Sequence, residues 1–145
     1  GLDLQYVEQP LDPADLDGLA SLRGAVPLAI DEGLAVHDLE AVLAADAADA
    51  LIVKPMAHGS PATARAVAAA GLEAGLTVAV TTTIDAVVAR TAAVHVAASL
   101  PDVAACGLAT ADRLASDLGP DPAPVEDGVI GVPQDPGLGL AEVRT

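Results

Sequence analysis

The stretch Ala50-Leu51-Ile52-Val53-Lys54 decides the fold, because it is a short apolar run that ends on a charged residue. Apolar runs of this length are typical of parallel strands, which are covered on both faces. Four similar runs lie on either side of it at regular intervals. These predicted strands are Leu4–Glu8, Leu28–Asp31, Thr77–Thr81 and Val103–Cys106.

Ala-rich segments between these runs carry helix-start signals such as a capping residue followed by proline, and glycines stand behind two of them. The predicted helices run from Asp12-Pro13 to Arg23, from His37 to Ala45, from Ser60-Pro61 to Ala74, from Asp85 to Leu100, and from Thr110 to the residues before Gly119. Such alternation predicts an α/β fold with a parallel sheet. Two architectures fit: a five-stranded doubly wound sheet, or part of a (β/α)8 TIM barrel, which needs about 250 residues.

The chain divides into two predicted parts. Residues 1–119 hold five strand–helix units, and residues 120–145 form a Pro/Gly-rich closing tail. Within that tail, Asp127-Gly128 between apolar residues predicts a short hairpin, and Pro136–Gly139 predicts a loop.

Composition excludes several classes of protein. The 145 residues include 21 acidic and 6 basic side chains, for a net charge of −15, yet 52% are hydrophobic. This hydrophobicity excludes intrinsic disorder, and the negative charge argues against nucleic acids and anionic membranes as partners. The lone Cys106 excludes an internal disulfide.

Further features concern location and origin. No apolar run approaches the roughly 18 residues of a membrane helix, and the first residues lack the basic region of a signal peptide. We therefore expect a cytoplasmic protein. A chain that begins at Gly1 is expected to be a fragment or a processed form. Lys54 is the only lysine, which is typical of proteins from salt-loving cells; an Arg-rich acidic protein from a GC-rich genome is the alternative.

Charged residues fall where the predicted strands end. Glu8, Asp31 and Lys54 end three successive strands, followed by Thr81 and by Cys106-Gly107. Function collects at this edge of parallel α/β folds, and carboxylate oxygens suit Mg²⁺. A neighbouring metal ion would favour the neutral lysine and so bring its pKa into a range useful for proton transfer. Each charge taken alone is more simply a helix cap or a solvated residue.

Five motifs in order resemble the enolase superfamily, in its muconate-lactonizing subgroup. They are Tyr6-Val7-Glu8-Gln9-Pro10, Ala29-Ile30-Asp31-Glu32, Ile52-Val53-Lys54-Pro55, Thr81-Thr82-Thr83-Ile84-Asp85, and Gly107-Leu108-Ala109-Thr110 with Asp112. The last is most similar to the o-succinylbenzoate synthases. The resemblance implies the C-terminal part of the family's barrel, from its fourth strand to its eighth helix, with a closing segment.

The resemblance also implies roles for individual residues. Glu8 and Asp31 correspond to two ligands of Mg²⁺, with Mn²⁺ as an alternative, and Lys54 to a catalytic lysine. Glu32 is expected to support Asp31 or Lys54. The residues expected to contact the substrate are Thr81, Thr82, Gly107 and Leu108. His58, in the loop after Lys54, is interpreted as a solvated side chain, with a substrate contact as the alternative.

The implied reaction is a dehydration through an enediolate intermediate that yields o-succinylbenzoate for menaquinone biosynthesis, by a lyase acting on a small carboxylate. Muconate cycloisomerase and N-succinylamino-acid racemase activities are the alternatives within the subgroup. The partner required is the N-terminal half of the barrel with its capping domain, so the 145 residues alone are expected to be inactive. A homo-oligomer is compatible with the sequence, and a stand-alone α/β domain that binds a ligand or partner is the non-enzymatic alternative.

Overall fold

The computed structural model describes residues 3–141 and 143. Its main sheet consists of the parallel strands β1 (Val7–Glu8), β2 (Leu28–Ile30), β3 (Ala50–Val53) and β4 (Thr77–Val80). The strands pair in chain order, β1-β2-β3-β4. A doubly wound sheet reverses its strand order at a switch point, so that alternative is wrong. Consecutive parallel strands joined by helices are part of a (β/α)8 barrel.

The helices cover one face of this sheet. They are α1 (Leu16–Leu22), α2 (Gly33–Val36), α3 (Leu39–Ala44), α4 (Pro61–Glu73) and α5 (Val87–Ala98). One apolar core joins residues of α1, α3, α4 and α5 to alternate residues of the strands. The strand residues in this core are Leu28, Ile30, Leu51, Val53, Val78 and Val80. Helices confined to one face are what a barrel requires.

The other face of the sheet carries mostly small residues. Ala29, Ala50, Ile52 and Ala79 form a second buried cluster, against which Tyr6 and Ala104 pack. Because side chains alternate between the two faces of a strand, these residues face the barrel interior. The strands are therefore apolar on both sides, as the continuous runs predict.

Helix α4 confirms its sequence signals. The Ser60 hydroxyl accepts a hydrogen bond from the amide of Thr63, and proline stands at the first helical position. Gly75, behind the helix, has a φ of +83°. At Gly71 the helix approaches the sheet so closely that a Cβ would lie 2.3 Å from the Leu51 side chain. Glycine at this position lets α4 pack directly on β3.

Three other helix predictions are corrected. Asp12 does not cap α1: its carboxylate accepts from Ala14, while Asp15 accepts from Gly18 and begins the helix. The helix predicted from His37 to Ala45 is α3, which begins two residues later because Asp38 caps it by accepting from the amide of Ala41; the separate short helix α2 precedes it. Asp85 does not cap α5. The first helical amide, that of Val87, donates to Asp117, thirty residues away.

The predicted strand Val103–Cys106 is absent from the described residues, although the chain there runs beside β4. The amides of Ala104 and Gly107 donate to the carbonyls of Val78 and Val80, at 2.8 and 2.9 Å. The chain thus advances three residues, from Ala104 to Gly107, while β4 advances two, from Val78 to Val80. The extra residue forms a bulge that interrupts regular pairing. The helix predicted after Thr110 is only a 3-10 turn over Ala111–Arg113.

The closing tail contains the predicted hairpin. Strands β5 (Val125–Glu126) and β6 (Val129–Ile130) pair antiparallel, and Asp127 and Gly128 have φ values of +50° and +79°. Positive φ at both central residues is the requirement of a type I′ turn. Residues 136–139 form no regular element.

Arg90 of α5 ties this tail to the barrel. Its side chain is buried, with 1% exposed, and donates to the carbonyls of Leu108 and Ala123, each at 2.8 Å. It also forms a 2.6 Å ion pair with Asp121. A buried guanidinium needs such partners, so this residue fixes two segments at once. Within residues 3–141 and 143, no helix combines the length and apolar character that crossing a membrane requires.

Replacing Arg90 tests this anchor. Arg90→Leu leaves three acceptors without their donor, and we expect the free energy of unfolding to fall by about 3 kcal/mol. Urea denaturation measures the change. Arg113→Leu is the matched control, because the Arg113 side chain is 70% exposed and its loss should cost less than about 0.5 kcal/mol. Equal effects at the two positions would contradict the anchoring role of Arg90.

Candidate active site

The predicted site residues share one face at the carboxyl ends of the strands. Glu8 lies in register with Ala29, and Asp31, Lys54 and Thr81 each lie two residues beyond an inward-facing alanine or isoleucine. Since side chains on one face recur every second residue, all four positions follow the inner face. The strand pairing therefore brings them to the same rim of the barrel.

Asp31 and Lys54 form the centre of this group. The Lys54 ammonium makes a direct ion pair with the Asp31 carboxylate, whose side chain is only 5% exposed. Glu32 lies further out, with its Oε1 3.8 Å from Lys54 Nζ and 60% of its side chain exposed. The predicted lysine and carboxylates thus lie together, with Glu32 at the edge of the group.

Glu8 joins the same group through Asp31. Partial loss of hydration raises the pKa of the Glu8 carboxyl above its ordinary value, and the charge of Asp31 and a hydrogen bond to it raise that pKa further. The Lys54 ammonium opposes this shift. The raised pKa of Glu8 thus reflects partial burial and neighbouring negative charge that the Lys54 ammonium only partly offsets.

Gln9 positions the backbone of this site, a role not predicted from the sequence. Its Oε1 accepts hydrogen bonds from the amides of Asp31 and Gly33, both at 3.1 Å, and its Nε2 donates to Leu11. Its backbone has a φ of +38°, an uncommon value for a residue other than glycine. Gln9 therefore fixes the backbone that carries Asp31. Its place beside Glu8 was the available signal.

Thr81 and Gly107 lie opposite one another on the next strand ends. The Thr81 hydroxyl donates to the Gly107 carbonyl at 2.9 Å, and a Cβ on Gly107 would lie 2.4 Å from that hydroxyl. Glycine is thus required for this approach. Thr82 is buried, with its hydroxyl 2.8 Å from that of Thr110. The Leu108 side chain lies in the main core.

A cavity of about 220 Å³ opens beside Lys54. Its polar lining comes from Asp31, Glu32, Lys54, His58 and Thr83, and its apolar lining from Leu34, Ala35, Ile52 and Ala57. Burial lowers the pKa of the His58 imidazole below its ordinary value, so the ring is neutral at pH 7. A larger cavity of about 550 Å³ lies at the opposite ends of the strands, around Thr77 and Pro101, away from these charges.

The donor set fits part of a magnesium site. Glu8 and Asp31 supply carboxylate oxygens, which are the ligands that Mg²⁺ prefers, and the charge of Asp31 acts on the Glu8 carboxyl. Among residues 3–141 and 143, no three His, Cys, Asp or Glu side chains are grouped so as to hold a metal ion. A metal ion bound to Glu8 and Asp31 would thus need further ligands.

Comparison with known proteins gives concordant matches. Residues 1–142 match the family described as enolase C-terminal domain-like. The o-succinylbenzoate synthase of Thermobifida fusca is 38% identical over 134 residues, which are 90% of this chain and 41% of that protein. The enzyme of the same name from Mycobacterium leprae is 37% identical over 133 residues, 89% of this chain and 38% of that protein.

A solved structure agrees with these matches. The N-succinyl Arg/Lys racemase of Bacillus cereus superposes with a TM-score of 0.88 at 28% identity, over 98% of this chain and 38% of that one. The chain therefore spans about two fifths of the length of the relatives it matches.

Replacing Gln9 tests its hold on Asp31. Gln9→Leu leaves the two amides of Asp31 and Gly33 without an acceptor, and we expect the free energy of unfolding to fall by about 1 to 3 kcal/mol. Amide hydrogen exchange should accelerate at Asp31 and Gly33 in particular. Gln134→Leu is the control, since the exposed Gln134 side chain donates only to nearby Val132. Unchanged exchange at Asp31 and Gly33 would show that Gln9 does not fix this loop.

Proposed function

Because the chain belongs to the enolase C-terminal domain-like family, we propose that it carries part of the active site of an o-succinylbenzoate synthase-like lyase. The observation that carries this proposal is the group of Glu8, Asp31 and Lys54 at one rim of the barrel. Two o-succinylbenzoate synthases at 38% and 37% identity support the choice of reaction.

In this proposal Glu8 and Asp31 hold Mg²⁺ or Mn²⁺, with further ligands from barrel strands outside this sequence. The bound ion would supply positive charge to the carboxylate of the substrate. Gln9 keeps Asp31 in place through two backbone hydrogen bonds. The role of these side chains is to bind and orient a carboxylate at the strand ends.

Lys54 is the proposed catalytic residue. Its ammonium lies on the inner face beside Asp31, where it stabilises negative charge that develops on the substrate during proton abstraction. Thr81, Thr82, Gly107 and Leu108 are proposed to line the substrate on the neighbouring strand ends, with Leu108 contributing main-chain atoms because its side chain is in the core. The product would serve menaquinone biosynthesis.

A second candidate is the racemisation of N-succinylamino acids, favoured by the superposition on the Bacillus cereus racemase. Both reactions begin with removal of a proton next to a carboxylate, so the same lysine and carboxylates would serve. They differ in outcome, because only the dehydration expels a hydroxyl group. Substrates therefore distinguish the two candidates more sharply than the rim residues do.

The proposed function is tested with the longer protein that carries the remaining barrel strands. With Mg²⁺ present, we expect it to convert succinyl-hydroxycyclohexadiene carboxylate to o-succinylbenzoate, and the absorbance of the product measures the rate. After treatment with EDTA we expect no conversion. The 145-residue chain alone should give no turnover. Turnover by this chain alone would contradict the need for the other strands. Exchange of the α-proton of N-succinylarginine, with no dehydration of the hydroxycyclohexadiene substrate, would favour the racemase.

Lys54 is tested in the same assay. Lys54→Met keeps the length of the side chain but removes its charge and proton, and we expect kcat to fall by about 10² to 10⁴-fold. Arg65→Met is the matched control, because it removes a cation from an exposed position on α4 and should leave kcat unchanged. Comparable losses in both variants would remove Lys54 from the catalytic machinery.

A further inference from the structure

The loop from Lys54 to Ser60 folds back over the strand end. The amides of Ala57 and His58 both donate to the carbonyl of Lys54, at 2.9 and 3.2 Å. Gly59 then leaves the turn with a φ of +76°, and Ser60 begins α4 by accepting from Thr63. Both ends of the loop are thus fixed, and one helical turn places His58 near Lys54.

His58 lines the 220 Å³ cavity together with Lys54, Asp31 and Thr83. The other polar groups of this lining are already engaged: Lys54 pairs with Asp31, and the Thr83 hydroxyl donates to Asp85. Among the described residues, neither ring nitrogen of His58 forms a hydrogen bond to the protein. His95 differs, because its Nε2 lies 3.4 Å from the carbonyl of Leu138. The cavity therefore contains an imidazole available to a ligand.

The chemistry of the lining limits what that ligand can be. A neutral imidazole offers one donor and one acceptor. The neighbouring carboxylates of Asp31 and Glu32 repel an anionic group, so the ring suits an uncharged oxygen. Leu34, Ile52 and Ala57 add apolar walls, which suit the carbon skeleton of a small molecule. The group that fits is a hydroxyl or carbonyl oxygen on an apolar frame.

We propose that His58 contacts the substrate, with its imidazole hydrogen-bonded to a hydroxyl or carbonyl oxygen while the carbon skeleton packs on the apolar wall. This inference rests on the proposed function, because it places the substrate of that enzyme in this cavity. The loop after β3 would then help to select among substrates that all carry a carboxylate at the end that binds the metal. The proposed contact replaces the interpretation of His58 as a solvated loop residue.

Nuclear magnetic resonance of the ring nitrogens tests the contact directly. In the longer protein, labelled with ¹⁵N-histidine, the His58 signals are assigned by their loss in His58→Gln. With Mg²⁺ present, o-succinylbenzoate should shift the His58 signals and leave those of His95 unchanged. Calorimetry on the same sample establishes that the ligand is bound. Bound ligand with unshifted His58 signals would overturn the proposal.

Kinetics of paired variants provides the second readout. His58→Leu removes the hydrogen bond and should raise KM about tenfold, the effect of one neutral hydrogen bond, with a smaller change in kcat. His58→Gln keeps a donor and an acceptor and should recover most of the loss. His95→Leu is the matched control. Equal KM values in the wild type and in both His58 variants would overturn the proposal. If His58→Leu does not fold, the ¹⁵N resonances of His58 in the wild type remain the test.

The two proposals fail in different ways. If N-succinylarginine is the substrate and shifts the His58 signals, the dehydration is wrong and the contact by His58 stands. If o-succinylbenzoate is produced at a rate and KM that neither His58 variant changes, the lyase stands and the contact is wrong.

Discussion

The alternation of side chains along four parallel strands is the constraint on which the rest of this structure depends. Ala29, Ile52 and Ala79, each one residue before the end of its strand, are buried on the inner face. The positions that continue this face are Asp31, Lys54 and Thr81. A shift of one residue in any strand would turn its polar end residue toward the helices, where the core is apolar. The same strand register thus buries the apolar core and places the polar residues at the rim.

Negative charge exceeds positive charge at the rim of the barrel. Three carboxylates, those of Glu8, Asp31 and Glu32, share the single ammonium of Lys54. The raised pKa of Glu8 is the physical consequence, since partial burial and the charge of Asp31 both oppose its ionisation. A divalent cation would reverse this situation by favouring both ionised carboxylates. A metal ion at the proposed site would therefore offset the repulsion between the carboxylates of Glu8 and Asp31, which Lys54 alone does not neutralise.

Elements defined by neighbouring residues could be predicted from the sequence. Helix α4 has its cap, its proline and its terminal glycine within the segment itself, and the hairpin turn needs only Asp127 and Gly128. The strands β2, β3 and β4 are apolar runs, and their ends placed Asp31 and Lys54 correctly at the rim. Assignment of the metal and substrate roles relied on resemblance to a family rather than on these local signals.

Elements fixed by distant residues could not be predicted in this way. Helix α5 begins at an amide held by Asp117, so the nearby Asp85 was a misleading signal. The chain beside β4 contains a bulge that lets Gly107 meet Thr81, and nothing in its composition indicates one extra residue. Gln9 and Arg90 act on segments more than fifteen residues away. A buried arginine in an Ala/Val-rich helix is nevertheless a signal in itself, because a charge in an apolar segment needs partners from elsewhere in the fold.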